Sequence, residues 1–115
     1  MSWNSELLET LPIAWPEEKM TAFCDRWKVE GLWLFGSVLR DDFRPDSDVD
    51  FLVEFAPSAP WDLLDLVQME RELKEMLGRS VDFLERLSIE RSRNPERRDR
   101  ILSSARRVYG VNIVA

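Results

Sequence analysis

The sequence predicts an α/β fold: a small mixed sheet of three to five strands with helices packed mainly on one face. Three observations predict it. Short apolar runs at residues 32–35, 49–55 and 81–84 alternate with stretches whose apolar residues recur every three or four positions, and strands alternating with amphipathic helices build α/β sheets. At 115 residues and 44% hydrophobic content, the chain suits one domain, 1–115, whose core needs no disulfide. Finally, the second apolar run opens with two aspartates, Asp48 and Asp50, which folding alone does not explain.

Taken in order, residues 1–15 read as a lead-in holding a short helical piece, with Pro12 and Pro16 as breakers. From Pro16 a helix begins with proline in its first turn and acids at its positive end. Met20, Phe23, Cys24 and Trp27 form its packing stripe, and Gly31 ends it. A strand at 32–35 then meets Gly36-Ser37, followed by one or two polar helical turns. Arg44-Pro45-Asp46-Ser47 reads as a turn, and the second strand runs from Val49 to Phe55. Asp62 begins a helix whose stripe is Leu63, Leu66, Met69, Leu73, Met76 and Leu77, with Glu70, Glu72 and Glu75 on its solvent side and Gly78 as its stop. Val81–Leu84 is the third strand. A last helix spans about Pro95 to Tyr109, packing through Ile101, Leu102, Ala105 and Val108. The apolar tail 111–115 reads either as a short strand or as a patch that a partner covers.

The chemistry gathers between Leu32 and Phe55. Side chains two apart on a strand share a face, so Asp48 and Asp50 converge. Paired carboxylates suit a hard divalent cation such as Mg²⁺, which shares its remaining positions with substrate phosphates. Gly36 lets backbone approach a ligand closely. The unpaired N–H groups of a following helix suit phosphate, and Ser37 can cap that helix or donate to a phosphate oxygen. Arg40 can reach a triphosphate or hold Asp41, Asp46 or Asp48. Ser47 orders its turn or touches nucleotide, the structural role being favoured. Phosphoryl or nucleotidyl transfer is what such groups support.

Composition removes other classes. No histidine is present, which excludes His-dependent zinc sites and Ser-His-Asp hydrolysis. The lone Cys24 fits a reducing cytoplasm and a core position rather than a nucleophile. No signal peptide and no membrane-length apolar run is visible. Residues 1–85 carry 8 basic and 19 acidic side chains, a balance of −11, whereas 86–107 carry 8 arginines against 3 acids, a balance of +5. The acidic body argues against general nucleic-acid binding. The arginine-rich stretch reads as a solvated helix face, or as a binder of RNA or of an acidic protein surface.

Gly36-Ser37, ten intervening residues and Asp48-Val49-Asp50 resemble the signature of the DNA polymerase beta–type nucleotidyltransferases. Within that superfamily, LFGSVLRDDFRPDSDVDFLVEF resembles the minimal nucleotidyltransferases (MNT), the antitoxin halves of HEPN/MNT toxin–antitoxin pairs. LGRSVDFL resembles the family's later strand, which makes Asp82 the third catalytic carboxylate. The resemblance covers about residues 17–109. It implies a polymerase-beta-like palm in which Asp48, Asp50 and Asp82 bind Mg²⁺, two ions at full occupancy. It also implies that Gly36-Ser37 holds the β- and γ-phosphates of ATP, and that Asp82 takes the acceptor's proton. The implied partner is a HEPN ribonuclease toxin, inactivated by AMP on a tyrosine. Two other readings stay open: transfer to a small molecule or an RNA 3′ end, and an antitoxin that neutralises by occlusion without catalysis.

Overall fold

The computed structural model describes residues 1–111; the rest of the apolar tail, 112–115, lies outside the described residues. Five strands form one mixed sheet in the order β1-β5-β2-β3-β4. They are β1 (Ser2–Trp3), β2 (Val29–Phe35), β3 (Val49–Phe55), β4 (Val81–Glu85) and β5 (Arg106–Gly110). Only β3 and β4 pair in parallel; the other three pairs are antiparallel. The helices are α1 (Ser5–Thr10), α2 (Glu17–Arg26), α3 (Leu63–Leu77), α4 (Arg86–Glu90) and α5 (Pro95–Ser104).

The lead-in is more than a lead-in. Ser2 and Trp3 pair with Gly110 and Tyr109, and Asn4 caps α1 by accepting from the Leu7 amide at 3.1 Å. The second helix is shorter than the sequence suggested. It ends at Arg26, Lys28 takes a left-handed conformation (φ 57°), and β2 has already begun at Val29, so Gly31 lies inside a strand. The apolar period changes from 3–4 to 2 after Trp27, because Val29 is the next buried anchor.

α3 follows its sequence signals at both ends. Asp62 and Asp65 form a reciprocal capping box, with bonds of 3.0 and 3.1 Å, and Gly78 ends the helix in the left-handed region (φ 66°). Two expectations along it fail. Leu63 is 74% exposed because its first turn reaches past the sheet. Glu72 is not a solvent-side residue: it accepts from the Trp27 indole at 2.9 Å, from Gln68 at 3.0 Å and from Arg26 at 3.2 Å.

The largest departure lies in the last quarter. The turn of helix α4 has no clear sequence signal. α5 stops at Ser104, and Ala105 is extended. Val108, expected on a helix, sits instead in β5 between β1 and β2. β-Branched and aromatic residues favour that place, and β5 satisfies the backbone of both neighbours.

Alternation along the strands divides the core. Leu32, Leu34, Phe51, Val53 and Val108 face α1, α2 and α3, whereas Trp33, Phe35 and Leu52 face α4 and α5 through Ile89 and Ile101. Three helices thus cover one face, and the shorter α4–α5 pair covers part of the other.

Truncating Glu72 tests the interior network. Glu72→Ala leaves the indole N–H of buried Trp27 without its acceptor, so stability should fall by about 1–3 kcal/mol, read as a lower urea midpoint with an unchanged slope.

Candidate active site

β2, β3 and β4 bring the site together at one end of the sheet. Phe35, the last residue of β2, pairs with Asp50, and Asp50 pairs in parallel with Asp82. Neighbouring strands run about 4.8 Å apart, so the two carboxylates start as lateral neighbours. Asp50 alternates with Phe51 and Asp82 with Phe83, which places both acids on the face of Leu52 and Leu84, beneath α5. Asp48 precedes β3 at its exposed mouth. The Val49 amide donates to the Ser80 carbonyl at 3.0 Å, and this bond fixes where the two strands begin.

Gly36 is required twice over. Its φ is +77°, and a Cβ there would overlap Oδ2 of Asp50. The carboxylate is therefore seated against bare backbone, which only glycine leaves open. Gly36–Leu39 is a single 3-10 turn, and the Ser37 carbonyl accepts from the Arg40 amide at 2.9 Å. Ser37 lies inside this turn rather than at its head and does not cap it, contrary to one of its two expected roles.

Burial, then the charge of Asp82, then that of Asp48 push the Asp50 carboxyl up to about 6, with Arg40 opposing weakly. A cluster that raises its own pKa in this way has a deficit of positive charge. Its donors are all oxygens, which suits Mg²⁺ rather than a soft metal. Among the described residues no three His, Cys, Asp or Glu side chains form a closed metal cage. Of the three carboxylates expected to bind metal together, the structure sets Asp50 and Asp82 in register and leaves Asp48 just before β3.

The two weaker candidates separate. Arg40 borders the cleft, but its ion pair is with Asp42 at 3.0 Å, not with Asp41, Asp46 or Asp48. Arg40 is extended, just past the 3-10 turn, and residues two apart share a side in extended chain. Both partners are well exposed, so the pair holds the guanidinium only weakly. Ser47 takes its structural role: its hydroxyl accepts from the Arg44 amide at 2.9 Å, and its carbonyl accepts from Arg79 at 3.3 Å.

Opposite the acids stands a wall that the sequence reading did not assign. Arg97, Arg100, Ile101 and Ser104 of α5 close a cleft of about 260 Å³ with Phe35, Gly36, Arg40, Asp50 and Asp82. Their spacing of three, one and three residues is one helical face, so the stripe was legible. What concealed its target was the eight arginines around it. Larger hollows of about 450 Å³ lie elsewhere and hold no paired aspartates.

An acidic floor under a basic wall fits a substrate that is both polyphosphate and metal ligand, and the class of protein so defined is the nucleotidyltransferases. The family model described as nucleotidyltransferase domain matches residues 17–108, and the chain belongs to that family. Among its relatives, a Methanocaldococcus jannaschii protein named "Putative protein adenylyltransferase" is 44% identical over 72 residues, 63% of this chain and 71% of that one. The protein adenylyltransferase MntA of Thermococcus cleftensis is 37% identical over 67 residues, 56% of this chain. That match spans 64% of the relative, just under two thirds of its length. Two solved structures share the fold. One is a crystal structure of a toxin–antitoxin pair with AMP-PNP (TM-score 0.65, 18% identity, 85% of this chain and 76% of that one). The other is a tri-AMPylated HEPN toxin from Shewanella oneidensis in complex with an MNT antitoxin (TM-score 0.57, 21% identity, 83% and 70%). No helix among the described residues is long and apolar enough to cross a membrane.

Gly36→Ala should lower stability by about 1–3 kcal/mol, the scale of a forced left-handed residue, and displace Asp50; urea denaturation and ATP titration read the two effects. Asp50→Asn separates charge from fold. Because its folded value, about 6, lies above the ordinary aspartate value of 3.8, Asp50 favours the folded state most below pH 3.8 and loses that contribution as pH rises through 6. Metal-free Asp50→Asn protein should therefore melt at or above the wild-type temperature at pH 7–8, with the advantage gone near pH 4. A lower melting temperature at pH 8 would mean that the carboxylate is structural.

Proposed function

We propose that this chain is the antitoxin of a HEPN/MNT pair, acting as a Mg²⁺-dependent protein adenylyltransferase. On this reading it moves AMP from ATP to a tyrosine hydroxyl of a HEPN ribonuclease toxin and so inactivates it. The observation that carries the reading is the in-register pair Asp50 and Asp82 with Gly36 packed against Asp50. An acidic pair serves a metal–nucleotide, and the glycine turn beside it leaves room for phosphates. The relatives named as adenylyltransferases and the fold shared with a toxin–antitoxin complex support the choice of acceptor.

Asp48, Asp50 and Asp82 would hold Mg²⁺, which when bound offsets charge on the entering and leaving oxygens of an in-line displacement. The chain's own groups do the rest. The Gly36-Ser37 turn seats the β- and γ-phosphates. Asp82 accepts the proton of the tyrosine hydroxyl, whose oxygen bonds the α-phosphorus as the bond to the β-phosphate oxygen breaks and pyrophosphate leaves. Asp82 is suited to this because β4 is the edge strand, so an incoming protein can approach it from the side.

The test combines α-labelled ATP, Mg²⁺ and the product of the neighbouring gene, and label should appear on that protein alone if it is the HEPN toxin. Label on RNA or on a small molecule, or toxin silenced without label, would each replace the proposal. Asp82→Asn should keep most ATP–Mg²⁺ binding while transfer falls by about two to four orders of magnitude, the scale of a general base. A loss of nucleotide binding matching that of Asp48→Asn would make Asp82 a metal ligand only.

A further inference from the structure

We propose that Arg97 and Arg100 of α5 are substrate-binding residues, a cationic clamp on the β- and γ-phosphates of the nucleotide opposite Asp50 and Asp82. This rests on the nucleotidyltransferase reading of the cleft and adds its second wall.

Placement is the first argument. Arg97 and Arg100 lie one helical turn apart on the same face as Ile101 and border the same cleft as Asp50 and Asp82. Ile101 is buried against the sheet, which fixes the rotation of α5 and points that face inward. Core packing thus fixes α5 beside the site, with both arginines exposed at the rim of the cleft.

Availability is the second argument. Of the other arginines in residues 86–107, Arg91, Arg93 and Arg106 do not line the cleft, and the remaining three are engaged. Arg98 pairs with Asp99 at 3.1 Å and Arg86 with Glu90 at 2.9 Å. Arg107 donates to the Glu30 and Tyr109 carbonyls at 3.0 and 3.2 Å. Among the described residues, the guanidinium groups of Arg97 and Arg100 have no ion pair and no hydrogen bond. Arg40, across the cleft, is drawn toward Asp42. Of the cations on the cleft, the α5 pair is therefore the freest to take a ligand.

Charge is the third. Carboxylates and a triphosphate together carry more negative charge than divalent ions alone offset. When the bond from the α-phosphorus to the β-phosphate oxygen breaks, its electron pair leaves with pyrophosphate. Guanidinium forks match phosphate oxygens in bidentate geometry, and here they would face the group on which that charge accumulates. A solvated helix face would not direct its two unpaired arginines at two aspartates.

The experiment is equilibrium titration of ATP–Mg²⁺, with pyrophosphate as competitor, into wild type, R97A/R100A, R100K and R98A, without any partner protein. The double variant should bind ATP about ten-fold or more weakly, the scale of losing charge-assisted hydrogen bonds. Pyrophosphate should compete correspondingly less well, R100K should recover part of the loss, and R98A should match wild type. Thermal melts should be the same for all four proteins. ATP binding by R97A/R100A equal to wild type overturns the clamp while leaving the nucleotidyltransferase reading intact. Absence of ATP–Mg²⁺ binding in wild type overturns both.

Discussion

The site depends on one unfavourable contact: the fold holds Asp50 and Asp82 side by side and leaves them unneutralised. Parallel pairing of β3 and β4 sets this, because residues in register on neighbouring strands cannot move apart without breaking the ladder. Parallel strands need a crossover, and α3 supplies it; its capping box and glycine stop fix its length. Gly36 completes the constraint from β2, since any larger residue would drive Asp50 from its seat. The raised pKa of Asp50 follows from this burial and crowding of like charges. Other parts of the molecule stabilise the fold so that these two groups can stay poorly matched.

The core shows how that stability is distributed. The face carrying α1, α2 and α3 is continuous and apolar, with Phe51, Met20, Met69 and Leu73 fully buried. The opposite face is covered only in part, by Ile89 and Ile101 of the shorter helices. The acids open on that second face. A catalytic cleft needs one wall rigid and the other accessible, and the asymmetry of helices about the sheet provides both. β5 contributes indirectly: lying between β1 and β2, it makes β2 an interior strand and so fixes the end from which Gly36 turns.

The part of the chain from Gly36 to Asp82 was legible because its local signals agree with its tertiary role. Gly36, Asp62 and Gly78 stand where backbone geometry requires them, and the strand from Val49 to Phe55 keeps the bounds expected of it. The last quarter was not legible, for a physical reason. Arg98 to Val108 has apolar residues at 101, 102, 105 and 108, a spacing that a helix satisfies throughout. Only the vacancy between β1 and β2, a non-local fact, makes Arg106–Gly110 a strand. Glu72 misled for the same reason: on a helical wheel it is solvent-side, and its partner Trp27 lies 45 residues away. Arg40 illustrates a finer limit: it was read as lying on the helix, but it is extended just past the turn and pairs with Asp42.

The uneven charge has the same explanation. In the linear sequence an acidic body followed by an arginine-rich stretch suggests that the stretch seeks something outside the molecule. In the fold, Arg86, Arg98 and Arg107 are absorbed by pairs and carbonyls within the chain, and Arg86 and Arg107 also stack on Trp33 at 4.5 and 5.0 Å. The helix then turns Arg97 and Arg100 toward the acids. Both signs line one cleft of about 260 Å³ without forming a salt bridge across it among the described residues. A direct Arg–Asp pair would have quenched the cleft and lowered the Asp50 pKa; instead that pKa is raised. On the proposed reading, opposed charges kept apart by packing are the preorganised receptor that a ligand carrying both phosphate and metal requires.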